Sequence, residues 1–218
     1  LNNTPAQYKK EYPWLKEVDS LALANAQLNL NKVYKNFLKD KSVGFPKFKK
    51  KKNKQSYTTN NQNGTIYIKD GYIKLPKLKS MVKVKQHREF NGKIKSVTIS
   101  KTLTNKYYVS ILVEEEITPL PKIDKKIGID LGIKDFAVTS DGEIFENPKW
   151  LRKLEQRVKF LQRSLSRKKK GSKNREKVRL KLAKAYEKLV NQRQDFLHKL
   201  SSKIINENQV IVLEDLKV

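Results

Sequence analysis

Two carboxylates have neighbours that suit chemistry. Asp130 lies in Ile127-Gly128-Ile129-Asp130-Leu131-Gly132-Ile133-Lys134, and Glu214 follows Val210-Ile211-Val212-Leu213. Both flanking runs have the apolar, β-branched character of strands. An unpaired ionised carboxylate inside such a strand costs several kcal/mol on burial, and about 20 kcal/mol in the idealised limit. Asp130 is therefore either a turn residue in strand-like sequence or a group that holds a cation. Hard oxygen ligands suit Mg²⁺ or Mn²⁺, and two such ions about 4 Å apart stabilise both the attacking and the leaving oxygen of a phosphodiester. Adjacent strands of a mixed sheet would bring Asp130 and Glu214 together as metal ligands. The plainer reading makes Asp130 a solvated strand end and Glu214 a turn or helix-start acid. Asp215 is a reserve for Glu214, while Asp124, Asp135 and Asp141 read as turn residues.

The elements that would position this pair can be read from periodicity. Residues 1–41 carry apolar residues at three- and four-residue spacings, from Trp14 through Leu38, and predict helix, with Pro13 near a helix start. Val43-Gly44-Phe45-Pro46-Lys47-Phe48 breaks it, and Lys49 begins a basic loop. Phe45 and Phe48 either stack on bases or anchor the loop. Residues 55–118 alternate in short runs broken by Asp70-Gly71, Asn91-Gly92 and Thr104-Asn105, which predicts antiparallel hairpins forming a small barrel or sandwich. Pro119-Leu120-Pro121 reads as a linker within 119–123. Beyond it, Ile127 to Leu131, Phe136 to Thr139 and a segment around Ile144 predict three strands. Leu151, Leu154, Val158, Leu161 and Leu165 then predict one helix, and Val178 through Ile204 a second. Between these helices lies the basic tip Ser166-Arg167-Lys168-Lys169-Lys170-Gly171-Ser172-Lys173-Asn174-Arg175. Val210 to Leu213 reads as a buried strand.

Composition narrows the partners. The 218 residues include 49 Lys and Arg against 22 Asp and Glu, a formal net charge of +27. Self-repulsion of that size opposes compaction and fits a polyanionic partner whose counterions are released on binding. A general bias toward Lys, Asn and Ile is the other source of such a surplus. The absence of cysteine excludes disulfides and cysteine-based zinc sites within these residues. His87 and His198 alone cannot make a histidine-rich metal site. No apolar run approaches the roughly 20 residues that span a bilayer. Leu1 and Val218 both read as cuts inside a longer protein.

Residues 127–142 resemble the first catalytic motif of the RuvC-like nuclease domain in the TnpB (OrfB) family of transposon-encoded proteins. Val210-Ile211-Val212-Leu213-Glu214-Asp215-Leu216 resembles the second. The segments 165–175 and 195–200 are similar to family motifs in the same order, and Gly44 to Lys49 to the lead into the family's β-barrel. The resemblance implies an α+β / α/β chain. It would have a helical recognition segment and basic loop (1–54), an antiparallel β-barrel (55–118) and an incomplete RNase H-like nuclease domain (124–218). It implies RNA-guided, Mg²⁺-dependent DNA cleavage, with Asp130 and Glu214 as catalytic metal ligands, guide RNA and target DNA as partners, and a cytoplasmic, nucleoid-associated location in a prokaryote. In such systems base pairing reads the sequence while the protein holds the heteroduplex by its backbone. Lys47, Lys49, Arg167, Lys168, Lys169, Lys170, Lys173, Arg175, Arg193 and Lys199 are the expected nucleic-acid contacts. His198 is expected to pack or to contact backbone. The family's third acid and its four-cysteine zinc ribbon would lie beyond Val218, and a further strand before Leu1. The chain alone is thus expected to cut weakly or not at all. Two other readings stay open: a nuclease-inactive RNA-guided repressor on the same scaffold, and a structural RNA-binding protein.

Overall fold

The computed structural model describes residues 4–48, 55–116, 118–119 and 121–214. Lys49, the basic loop that it begins, and Asp215 lie outside these residues. The chain forms two compact units, Leu1–Ile117 and Thr118–Val218.

In the first unit the expected N-terminal helix is divided. Gln7–Lys9 and Pro13–Lys16 are single 3₁₀ turns, and the helix proper, α1, spans Ser20–Lys39. Asp19 sets that start. Its carboxylate accepts from the Ala22 N–H at 3.2 Å and from the Thr59 hydroxyl, so one side chain caps the helix and ties it to the sheet below. Strands follow as β1 (Gln55–Asn60), β2 (Tyr67–Lys69), β3 (Tyr72–Lys74), β4 (Val82–Lys83), β5 (Lys93–Lys101) and β6 (Tyr107–Glu114). Asp70 and Gly71 both take positive φ, the backbone a two-residue hairpin needs, and join β2 to β3 as expected.

The barrel does not form. The strands make two separate antiparallel sheets, β1-β5-β6 and β2-β3-β4. Strands β2 to β4 are only two or three residues long, too short to hydrogen-bond along both free edges of the longer sheet. The sheets meet instead through side chains, with Ile66, Ile73, Leu75 and Val97 buried between them. Asn91-Gly92 is no hairpin either, because it joins β4 of one sheet to β5 of the other. Gly92 is there for close approach: a Cβ on it would lie 2.3 Å from the Glu114 carbonyl oxygen.

The second unit contains β7 (Lys126–Leu131), β8 (Asp135–Thr139), β9 (Ile144–Glu146), helices α2 (Trp150–Ser166) and α3 (Lys173–Glu207), and β10 (Val210–Leu213). Strands β7, β8 and β9 form an antiparallel meander, and β10 adds to the outer edge of β7 in parallel, giving the order β10-β7-β8-β9. A parallel neighbour needs a crossover, and α2 and α3 supply it. Helix α3 has 35 residues against 17 in α2, so about 50 Å against 25 Å. Its first half packs on α2 through Val158, Leu161, Ala185, Val178 and Leu182. Its second half lies on the sheet, where Ile204 packs against buried Ile127, Ile129 and Ala137. Phe196 of α3 meets Phe136 and Trp150 edge-on, with centroids 5.1 and 5.4 Å away. Among the described residues no helix is long and apolar enough to cross a membrane.

Asn61 links the two sheets of the first unit. Its amide donates to the carbonyls of Ile66 and Ile94 at 3.1 and 3.0 Å, and its oxygen accepts from the Ile66 N–H at 2.9 Å. Asn61→Ala leaves these groups without partners and is expected to destabilise the chain by about 1–3 kcal/mol in urea unfolding. An unchanged midpoint would contradict this role.

Candidate active site

Asp130 occupies the fifth position of β7, whose alternation buries Ile127 and Ile129 against the helix side. Asp130 itself is exposed on the other side. The expectation of a carboxylate desolvated within an apolar strand is therefore corrected. Strand alternation turns it to solvent, and no burial cost calls for a compensating cation. Strand β10 is corrected likewise. Val212 and Leu213 are 61% and 58% exposed, since β10 is an edge strand with one sheet face open.

The pairing of these strands brings the two acids together. Val210, Ile211, Val212 and Leu213 stand opposite Lys126, Ile127, Gly128 and Ile129. One further step of the same register sets Glu214, exposed and just beyond β10, beside Asp130. Neighbouring strands are about 4.8 Å apart, close enough for both carboxylates to reach one ion. The start of β10 fixes the register. The Gln209 N–H donates to the Lys125 carbonyl at 2.8 Å, and the Gln209 side-chain oxygen accepts from the Ile123 N–H at 3.2 Å.

Both acids line one open depression, with Gly128, Val138, Ser140 and Val212 around them. Sequence reasoning passed over Ser140, treating Ser140-Asp141-Gly142 only as a turn. Its hydroxyl accepts from the Gly128 N–H at 3.1 Å, and its own N–H donates to the Gly128 carbonyl at 2.8 Å. The signal was available: Asp130 pairs with Val138 in antiparallel register, and two residues further along each strand lie Gly128 and Ser140. Gly128 keeps the floor of the depression free of a side chain. Asp141 pairs with Lys125 at 3.3 Å, which fits its reading as a turn residue. Asp135 belongs to β8 rather than a turn. Glu143 pairs with Lys203 of α3; that hydrogen bond holds the lysine above its ordinary range and ties the helix to the β8–β9 turn. The donor set at the depression is two carboxylates and a hydroxyl, all hard oxygen, a chemistry that fits Mg²⁺ or Mn²⁺. Among the described residues no group of three or more His, Cys, Asp or Glu side chains converges.

The expected nucleic-acid contacts divide. Arg167, Lys168, Lys169, Lys170 and Lys173 are exposed at the tip between α2 and α3, as are Arg193 further along α3 and Lys47 in the first unit. Lys199 is exposed but paired with Asp195 at 2.8 Å. Arg175 instead builds the tip. Its guanidinium donates to the Leu165 carbonyl and, at 3.1 Å, to the Lys168 carbonyl, placing a cation at the C-terminal, negative end of the α2 dipole. Ser172 caps α3 through the Arg175 N–H at 3.2 Å. His198 is exposed and packs nothing into the core.

Residues 109–218 match the family model OrfB_IS605, described as a probable transposase. The chain belongs to this family. It is 34% identical over 216 residues to a Streptomyces pristinaespiralis protein named "Putative RNA-guided DNA endonuclease", covering 97% of this chain and 53% of that protein. It is 35% identical over 209 residues to the "Putative RNA-guided DNA endonuclease InsQ" of Escherichia coli (strain K12), covering 95% of this chain and 51% of InsQ. The chain thus spans about half the length of these relatives. The match takes in the whole second unit of this family member, including both acids and the basic tip.

Arg175→Ala removes two charge-assisted hydrogen bonds at the end of α2, although the Leu165 carbonyl keeps the Lys168 N–H, and is expected to cost about 1–3 kcal/mol in urea unfolding. Lys169→Ala, at the same tip but solvated, is expected to change stability by less than about 0.5 kcal/mol. Equal effects would remove the distinction between the two residues.

Proposed function

We propose that this chain is the nuclease portion of an RNA-guided, Mg²⁺-dependent DNA endonuclease carried by a transposon, acting with a guide RNA and a target DNA. We read the second unit as RNase H-like, of the RuvC kind: an antiparallel meander with one parallel strand added beside its first strand. The observation that carries the reading is the register that sets Glu214 beside Asp130. Family membership and the names of the two relatives support it.

Asp130 and Glu214 would hold the metal ion, with Gly128 leaving room above the sheet for the scissile phosphate. When bound, Mg²⁺ or Mn²⁺ supplies Lewis acidity toward phosphoryl oxygen and lowers the pKa of water. Arg167, Lys168, Lys169, Lys170 and Lys173 are the cations we assign to phosphate contacts along the bound strands, and each neutralised phosphate adds to the salt dependence of binding. Two carboxylates are a partial ligand set for two ions. The chain alone is therefore expected to bind Mn²⁺ weakly and to cut DNA slowly or not at all. Its working place would be the cytoplasm, on the nucleoid when bound to DNA.

Mn²⁺ binding followed by electron paramagnetic resonance tests the site without relying on cleavage. Asp130→Ala and Glu214→Ala are each expected to weaken binding by at least about tenfold, since even groups that only support metal ligands are worth 10- to 100-fold. Affinity unchanged in both variants would sink the metal site. Fast guide-independent cutting by the chain alone would sink the RNA-guided reading.

A further inference from the structure

Phe45 and Phe48 stand three residues apart among lysines, and the fold gives them opposite roles. Phe45 is an anchor. Its ring meets Tyr34 and Phe37 of α1 edge-on, with centroids 5.9 and 5.4 Å away. Phe48 is 99% exposed. A phenyl ring this exposed contributes nothing to the core among the described residues.

Phe48 stands at a cavity of about 370 Å³ in the first unit. One wall is α1, where Ala22 and Ala26 leave the helix surface low. The other walls are Phe45 and Tyr57 of β1. Burial, and behind it the nearby Asp19 carboxylate, push the Tyr57 phenol above its ordinary pKa, so it stays a neutral donor. Asn29 lines the cavity with an exposed amide. Lys47 lies exposed beside Phe48.

We propose that this cavity receives one unpaired base of a nucleic-acid strand, with Phe48 stacking on the base, Asn29 meeting its edge and Lys47 its phosphate. The inference rests on the nucleic-acid reading above but concerns a different site, in the other unit. Flat aromatic walls, a polar amide and an adjacent cation are the combination that binds a base without demanding a particular one. The chain's charge of +27 favours a polyanion over an apolar peptide as the occupant.

The test uses the full chain with two fluorescent single-stranded probes, a short oligothymidine and an oligomer of equal length with abasic sugars. Stacking on one aromatic ring is worth enough that Phe48→Ala should bind the oligothymidine about 5- to 150-fold more weakly. It should bind the abasic strand as the parent does, and Phe48→Tyr should retain most of the affinity. Phe48 is solvated, so circular dichroism should show both variants folded like the parent. Affinity insensitive to Phe48, or an equal loss on both probes, overturns the site while leaving the nucleic-acid reading standing. So does duplex DNA bound with the same dependence on Phe48. A parent chain that binds neither probe at low salt overturns the site and that reading together.

Discussion

The second unit depends on one pairing, that of β10 with β7. It is parallel, so the chain cannot reach it by a turn and must leave the sheet and return. Helices α2 and α3 exist in this arrangement to make that journey, and the extra length of α3 carries the chain back across the sheet. Side-chain direction alternates along a strand. A slip of one residue in β10 would turn Glu214 away from Asp130 and Ile211 away from the core. The contacts of Gln209 with Lys125 and Ile123 resist that slip at the strand's first residue. Ile211 packs against the core cluster and resists it further along.

The same pairing explains why the acids sit on an open surface. One face of the sheet is closed by α3 through Ile204 and Phe196. The other carries Gly128, Asp130, Val138, Ser140 and Val212 around a depression. Two like charges beside one another in solvent repel only modestly, because water screens them. They concentrate negative charge at the open face.

Charge is arranged by local capping as much as by number. The helical tip displays Arg167 to Lys170 in solvent because Gly171, with positive φ, turns the chain there, and Ser172 starts the next helix. Arg175 satisfies the end of the previous one. One cation is thus committed to structure so that its neighbours hold a defined position. The first unit shows the same economy with aromatic rings, where Phe45 fixes the segment that presents Phe48.

Much was legible in the sequence because it follows from local rules. The three- and four-residue spacings marked α2 and α3, Asp70-Gly71 marked its hairpin, and alternation marked β6. The acids Asp130 and Glu214 stood out as carboxylates at apolar strands. Other features depend on distant partners that no window of sequence contains. Whether Asp130 is buried was decided by which sheet face α3 covers, and whether β10 is buried by its place at the edge. Asn91-Gly92 has the composition of a hairpin, but strand lengths and the close approach of Glu114 made it a crossing between sheets. Arg175 is indistinguishable from its basic neighbours until the end of α2 is seen against it. Sequence by itself determined the element types, the charge and the candidate acids, because these arise from neighbours within a few residues. Tertiary structure alone decided that Glu214 lies beside Asp130, because strand register across 84 positions is set by packing and by the hydrogen bonds at the start of β10.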